Sequence, residues 1–277
     1  MKARMGRIGK GIAATALSML FSVSDGNAGA PGFCYDPATR EGYVCAPCSC
    51  PGDRQVVARA GKCEHCTMDL VARKDLKYVA IVVYDGVELL DFSGPGEVFA
   101  SGGGKFYVYT VSKDGKPITS QGFVRVDPEF SMSDCPWPDV LVVPGGGVNA
   151  LIRDPLMMQW IDAVGKHAKH VLSVCSGAFV LAKAGMLDGL QATTHSADVK
   201  ELERAAPRTT VHANTRFVDN GKVITTAGVS AGIDGALHIV AKLQGDDAAR
   251  RTARFMEYDK WTPEAGLVVA EKTAKTP

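Results

Sequence analysis

Neither sign of charge dominates this sequence: Lys and Arg number 31 against 30 Asp and Glu, a formal net charge of +1 over 277 residues. That balance excludes the polybasic field of a general nucleic-acid binder and an acidic solvating tail, so any partner has to be recognised by a local site. Aromatic residues are sparse at 7%, but 46% of the residues are hydrophobic, too many for a disordered chain. The 30 Gly and 14 Pro follow no collagen triplet. Apolar runs of ~20 residues, the length a bilayer helix needs, are missing too. Cysteine is the most uneven absence. Of eight, only Cys135 and Cys175 lie outside the stretch from Cys34 to Cys66, so a sulfur-rich beginning and a long sulfur-poor remainder are expected to carry separate chemistries.

Residues 1–30 start with Lys2, Arg4, Arg7 and Lys10, continue through the apolar run Gly11 to Phe21 and end in Ala28-Gly29-Ala30. A charged start, a short apolar centre and an A-x-A finish are the parts of a secretory signal peptide. We expect cleavage and export to the periplasm or the medium, with no stable membrane insertion afterwards. Losing residues 1–30 removes four basic groups and one acidic, leaving 27 against 29, a net charge of −2. An oxidising compartment also permits disulfides.

Two C-x-x-C pairs, Cys45/Cys48 and Cys63/Cys66, stand fourteen residues apart. Each knuckle converges two thiolates, and two knuckles supply the four sulfurs of a tetrahedral Zn²⁺ site. Residues 31–72 are too few for much of a core, so metal or cross-links have to stabilise them. The alternative to a metal is two or three disulfides formed after export. This stretch resembles the small heavy-metal-binding domain of copper- and zinc-handling proteins, with the pattern Tyr-x-Cys-Pro-Met-His-Pro, then Pro-Gly-Lys-Cys-Pro-x-Cys-Gly-Met-x-Leu-Val. Tyr43, Cys45, Gly61, Lys62, Cys63, Cys66, Met68 and Leu70 match it, while Cys48 replaces the histidine and Thr67 the glycine before Met68. An all-sulfur site favours Zn²⁺ or a soft ion such as Cu(I). Cys34 and Cys50 have no counterpart and are expected to be spare, free to pair with each other. His65 is read as a solvated turn residue.

From Lys77 the pattern changes to alternating strands and helices, after a charged linker over residues 67–77. Tyr78 to Tyr84 is a continuous apolar, β-branched run of the kind that makes a buried parallel strand. Further strands are expected at Phe106–Val111, Val140–Val143, Val171–Val174 and Lys222–Thr226, with helices at Gly94–Ala100, Met157–Ala168, Gly177–Ala184, Ala231–Leu243 and Asp246–Tyr258. This order implies an α/β fold over residues 77–260, a doubly wound, flavodoxin-like three-layer sandwich. Residues 261–277 read as a loose tail.

Ligands of such a sheet sit beyond the carboxyl ends of its strands, and three features fall there. Cys175 occupies a sharp turn between an apolar strand and a helix opening Ser176-Gly177-Ala178, the geometry of a nucleophile elbow whose helix N–H groups favour a thiolate. Gly145-Gly146-Gly147 ends the neighbouring strand, where backbone without Cβ can approach a developing oxyanion. Asp91 lies in the apolar run Leu89-Leu90-Asp91-Phe92, as an acid for the site or as a helix cap. Cys135 reads as a buried, inert cysteine.

Five ordered motifs carry a second resemblance: Leu-Leu-Asp91-Phe-Ser-Gly-Pro, Val-Pro-Gly-Gly-Gly147, Val-Cys175-Ser-Gly-Ala-Phe-Val-Leu-Ala182, Ala-Thr-Thr-His195 and Thr-Ala-Gly228-Val-Ser-Ala-Gly232-Ile-Asp234. Residues 77 to about 258 are similar to the ThiJ/PfpI superfamily, the class I glutamine amidotransferase-like fold, and within it to the isonitrile-hydratase-like set and the ligand domain of AraC-type regulators. The resemblance implies Cys175 as nucleophile, Asp91 as its acid, Gly146 in the oxyanion hole, His195 lining the pocket, and a homodimer. Ser176 stands where protease-like members often carry His, so the pattern departs from a Cys–His dyad towards the hydratase-like set. Ser196 replaces a frequent Trp, which leaves pocket shape and substrate open. The expected activity is cysteine-dependent hydration or hydrolysis of a small electrophile, with no cofactor in the α/β domain. A sensor in which Cys175 is oxidised, or a metal-handling protein with the α/β domain as scaffold, are the alternatives. A DNA-binding regulator is not expected, because no helix-turn-helix length follows the domain.

Overall fold

The computed structural model describes residues 34, 40–46, 50–259 and 261–269. The expected signal peptide and Cys48 lie outside them. Among the described residues no helix is long and apolar enough to cross a membrane.

The cysteine-rich module has one antiparallel pair, β1 (Tyr43–Val44) with β2 (Val71–Ala72), and bridges from Tyr43 to Val57 and Cys45 to Asp53. The α/β domain follows as β3 (Lys77–Val82), α1 (Leu89–Ala100), β4 (Phe106–Ser112), the hairpin β5 (Ile118–Ser120) and β6 (Val124–Val126), β7 (Phe130–Ser131), β8 (Val140–Val143), α2 (Val148–Arg153), α3 (Pro155–His167), β9 (His170–Ser173) and α4 (Gly177–Lys183). It continues with β10 (Gln191–Ala192), α5 (Val199–Ala205), β11 (Thr210–Val211), β12 (Phe217–Asp219), β13 (Val223–Thr226), α6 (Ala231–Gln244), α7 (Asp246–Phe255) and β14 (Leu267–Val268).

β3, β8 and β9 are buried almost throughout, as central parallel strands covered on both faces must be. With the two-residue β7 added parallel at the outer edge of β4, the five longer parallel strands run in the order β13-β9-β8-β3-β4. Counted along the chain this is 5-4-3-1-2, the flavodoxin-like winding whose switch point lies between β3 and β8. α1 packs on α6 and α6 on α7, while α2 packs on α3 and α4, and α4 on α5. α3 shows why these helices form where they do. Asp154 accepts the N–H groups of Leu156 at 3.0 Å and Met157 at 3.3 Å, Pro155 opens the first turn, and Met157, Trp160, Ile161 and Val164 make the buried stripe.

The sheet is mixed rather than purely parallel. β12 joins antiparallel to β13, and β14 then pairs with β12. Trp261 is buried, so residues 261–269 correct the expectation of a loose tail beginning there. Residues 67–77 are likewise not a plain linker: they contain β2 and a 3-10 turn, Arg73–Asp75, and Leu76 is buried with Val44 in the main core.

The module sits at the amino ends of the strands. The Arg40 guanidinium lies 3.7 Å over the Tyr78 ring and donates to Trp137 O at 2.7 Å and Asp139 Oδ2 at 3.1 Å. Arg54 donates to Val108 O at 2.6 Å and pairs with Glu129. The elbow lies at the other end of the sheet.

Candidate active site and cysteine cluster

β9 carries the chain through Val174 into Cys175, which holds φ +57°, before Gly177 starts α4. The turn is pinned on every side. Val174 N–H donates to Val143 O at 3.1 Å, Cys175 N–H to Ala227 O at 3.1 Å, and the Thr194 hydroxyl to Cys175 O at 2.8 Å. Gly177 is forced, because a Cβ there would lie 2.1 Å from Val143 O. The left-handed backbone of a non-glycine residue costs energy, and the surrounding bonds hold it in place.

Asp91 is not a helix cap. It is the third residue of α1, fully buried, and its Oδ2 accepts Gly145 N–H at 2.9 Å. Its Oδ1 is buried without a partner in hydrogen-bonding geometry. Burial pushes this carboxyl up to about 7, opposed by the Gly145 N–H and, more weakly, by the Cys175 thiol and the Val229 N–H. Asp91 therefore exchanges protons near neutrality.

Burial and the neighbouring Asp91 charge push the Cys175 thiol up to about 12, against the lowering effect of the Ser176 and Val229 N–H groups. This corrects the expectation of a standing thiolate: desolvation at an 8% exposed residue outweighs the helix N–H groups. The resting site is a thiol beside a carboxyl that readily gains and loses a proton.

The glycine loop is shaped for this neighbourhood. Gly147 N–H donates to Gly86 O at 2.8 Å and Glu88 N–H to Gly145 O at 3.0 Å, while the Tyr84 hydroxyl donates to Gly145 O at 2.8 Å. Gly146 has φ +102°, and a Cβ there would lie 2.4 Å from Gly86 O. Its N–H, expected to hold the oxyanion, donates instead to Ser176 Oγ at 3.0 Å. The Ser176 hydroxyl thus occupies the donor, and the N–H groups acting on the sulfur are those of Ser176 and Val229. Val229 has φ +52°, a strained state for a β-branched residue and the means of turning its N–H towards the site.

His195 stands at the rim, its side chain 39% exposed. Its Nδ1 accepts Ala197 N–H at 3.3 Å and lies 3.8 Å from Asp198 Oδ2. The ring packs over Gly228, where a Cβ would come within 2.3 Å of Cδ2. The fold therefore gathers Cys175, Asp91, Ser176, Gly146 and His195 around one strand end. Sequence reasoning missed Tyr84, Thr194, Asp198 and Val229. Thr194 and Val229 stand inside quoted motifs; Tyr84 and Asp198 carry no local signal.

In the cysteine-rich module, one sulfur from each of Cys45, Cys50, Cys63 and Cys66 lies within 4.8 Å of the others. Neighbouring sulfurs are 3.4 Å (Cys45–Cys66), 3.7 Å (Cys50–Cys63) and 3.9 Å (Cys45–Cys50) apart. Tetrahedral Zn–S bonds of about 2.3 Å separate sulfurs by about 3.8 Å, so this donor set fits a metal. Gly52 permits the approach, because a Cβ there would lie 2.8 Å from Cys63 Sγ. The His65 and Cys66 N–H groups hold the Cys63 thiol below its ordinary range, the favourable direction for a ligand. Cys50, expected to be spare, is a member of the cluster because the turn in which Asp53 N–H donates to Cys50 O at 3.0 Å brings its sulfur in. Cys48, the expected ligand, lies outside the described residues. Cys34 does not pair with Cys50; its sulfur meets that of Cys135 at 2.9 Å.

Comparison with known proteins adds the lineage of the larger domain. Residues 77–242 match the DJ-1/PfpI family. The chain is 37% identical over 183 residues to isonitrile hydratase from Pseudomonas putida, covering 65% of this chain and 78% of that protein. A solved THiJ/PfpI family protein from Pseudomonas syringae superimposes with a TM-score of 0.62 at 33% identity, covering 68% of this chain and 77% of the other. The transcriptional regulator GbdR from Pseudomonas aeruginosa is 23% identical over 153 residues, and this chain spans only 41% of its length.

Proposed function

Because the chain belongs to the DJ-1/PfpI family, we propose that its α/β domain is a cysteine-dependent, hydratase-like enzyme acting on a small electrophile such as an isonitrile. The observation that carries this reading is Cys175 at φ +57° on the elbow beside the fully buried Asp91, whose carboxyl titrates at about 7. The relationship to an isonitrile hydratase supports the same reaction class.

The chemistry follows from the proton inventory. As the Cys175 sulfur bonds to the isonitrile carbon, its proton passes to the Asp91 carboxylate, and Asp91 returns it to that carbon to give a thioimidate. Water then adds to the same carbon, with Asp91 taking and returning the proton in transit. The C–S bond breaks, sulfur recovers its proton, and an N-substituted formamide leaves. The Ser176 and Val229 N–H groups steady the sulfur while it carries charge. Ser176 Oγ, held by Gly146 N–H, and His195 at the rim orient the substrate.

The module complements this site. Cys45, Cys50, Cys63 and Cys66 would hold Zn²⁺ or Cu(I), and a bound ion would supply the cross-link that so small a unit lacks. Export and homodimerisation complete the proposal. The oxidised-sensor reading is weaker, because burial keeps the Cys175 thiol protonated and only the thiolate oxidises readily.

Turnover of an isonitrile panel to formamides by the wild type and by Cys175→Ala tests the enzyme reading. Turnover is expected only in the wild type; equal rates in both chains, or no activity on any panel member, would defeat it.

A further inference from the structure

Two of the described cysteines belong to neither site. Cys34 and Cys135 are 101 residues apart in sequence, yet their sulfurs touch at 2.9 Å, nearer than the neighbouring sulfurs of the cluster. Cys135 is fully buried in the turn that leads into β8, and Cys34 is part-exposed. The contact is one of several along the same surface. Cys34 N–H donates to Met132 O at 3.3 Å, and six residues later Arg40 grips Trp137 O and Asp139. Cys34 and Arg40 are therefore each held on the Met132–Asp139 segment that leads into β8. Among the described residues no third ligand joins the two sulfurs, the sole candidate metal cluster being Cys45, Cys50, Cys63 and Cys66.

We propose that Cys34 and Cys135 form a reversible disulfide that staples the chain ahead of the cysteine-rich module to the segment leading into β8. The oxidant is a thiol–disulfide donor, of which oxidised glutathione is the simplest. The part-exposed Cys34 sulfur attacks one sulfur of the donor, forming a mixed disulfide and expelling the other half as a thiol that carries away the Cys34 proton. The Cys135 sulfur then attacks Cys34 Sγ, forming the internal bond and expelling the second half as a thiol with the Cys135 proton. Two electrons have passed to the donor and two protein S–H bonds are gone. The contact with Cys34, together with burial, pushes the Cys135 thiol far up, which assigns the first attack to Cys34.

The full chain, reduced and loaded with Zn²⁺ to protect the cluster, is equilibrated with oxidised glutathione, alkylated and digested without reduction. A peptide pair joined through Cys34 and Cys135, and lost on adding dithiothreitol, is the expected product. A bond closing so long a loop should raise the melting temperature by about 5–15 °C over the reduced chain. Cys34→Ser should show neither the link nor the rise. Cys34 alkylated throughout, Cys34 joined to Cys50 or another cysteine, or an equal rise in Cys34→Ser would each overturn the proposal.

Discussion

The two ends of the sheet use the same atom in opposite ways. At the carboxyl end a single sulfur, Cys175, stands in a dry niche 8% exposed, positioned by a strained backbone and by glycines that admit no Cβ. Around it hydrogen bonds hold the turn, and burial keeps the thiol protonated. At the amino end four sulfurs crowd within 4.8 Å in a module with little apolar interior, where backbone N–H groups favour the charged form of Cys63. On the proposed reading, one site has ample scaffold around a thiol it holds back, and the other has little scaffold and draws its cohesion from its sulfurs. The lesson is that cysteine chemistry is set by what surrounds the sulfur, and a thiol count alone cannot distinguish the two cases.

The sharpest test of that contrast is removal of the sulfurs. Cys175→Ala should lower turnover by ~10³-fold or more with the melting temperature within a few degrees of wild type, because a nucleophile is lost and only a small volume is vacated. Cys63→Ser should do the reverse. Bound Zn²⁺, measured on the purified protein, should fall well below one per chain, and residues 50–70 should become protease-sensitive, while the α/β domain keeps its melting transition. If Cys63→Ser also melts the sheet, the two ends are not energetically separate.

Asp91→Asn tests the proton inventory. A drop of about 10²–10⁴-fold in kcat is expected, with loss of the inflection near pH 7 in the rate profile. The same group has a stability signature. Its folded carboxyl is raised from 3.8 to about 7, so between those values the folded state holds a proton that the unfolded chain has released. Stability should therefore fall as pH rises from about 4 to about 7 and be flat above, and denaturant midpoints for Asp91→Asn should lack that slope. A wild-type stability that climbs through this range would contradict the buried-acid picture.

Gly228→Ala is expected to have the smallest effect. Its Cβ would strike the His195 ring, a side chain at the rim that can swing aside, so a stability loss of about 1 kcal/mol and a change mainly in KM are expected. A full collapse of kcat would move His195 from the rim into the reacting centre.

Much of this is legible in the amino-acid sequence. The apolar runs at Tyr78–Tyr84, Val140–Val143 and Val171–Val174 read as buried parallel strands because continuous β-branched stretches suit little else. Cys175 stood out because a strand running straight into Ser-Gly-Ala leaves its first side chain above the sheet. β12 and β14 were not legible: Phe217–Asp219 and Leu267–Val268 are too short to show a period. Cys50 was misread because spacing rules see C-x-x-C pairs, whereas convergence of the sulfurs depends on turns such as Cys50–Asp53 and on the missing side chain of Gly52.

The sequence by itself determined where a cysteine-rich segment gives way to alternating strands and helices, and the placing of Cys175, Asp91 and the glycine loop near strand ends, since periodicity and turn residues are local properties. Only the tertiary structure decided which sulfurs meet, that Gly146 N–H is taken by Ser176, that Val229 supplies a donor, and that Cys175 rests as a thiol. Those outcomes depend on desolvation and on contacts across long sequence separations, 101 residues for Cys34 and Cys135, and no local pattern records either.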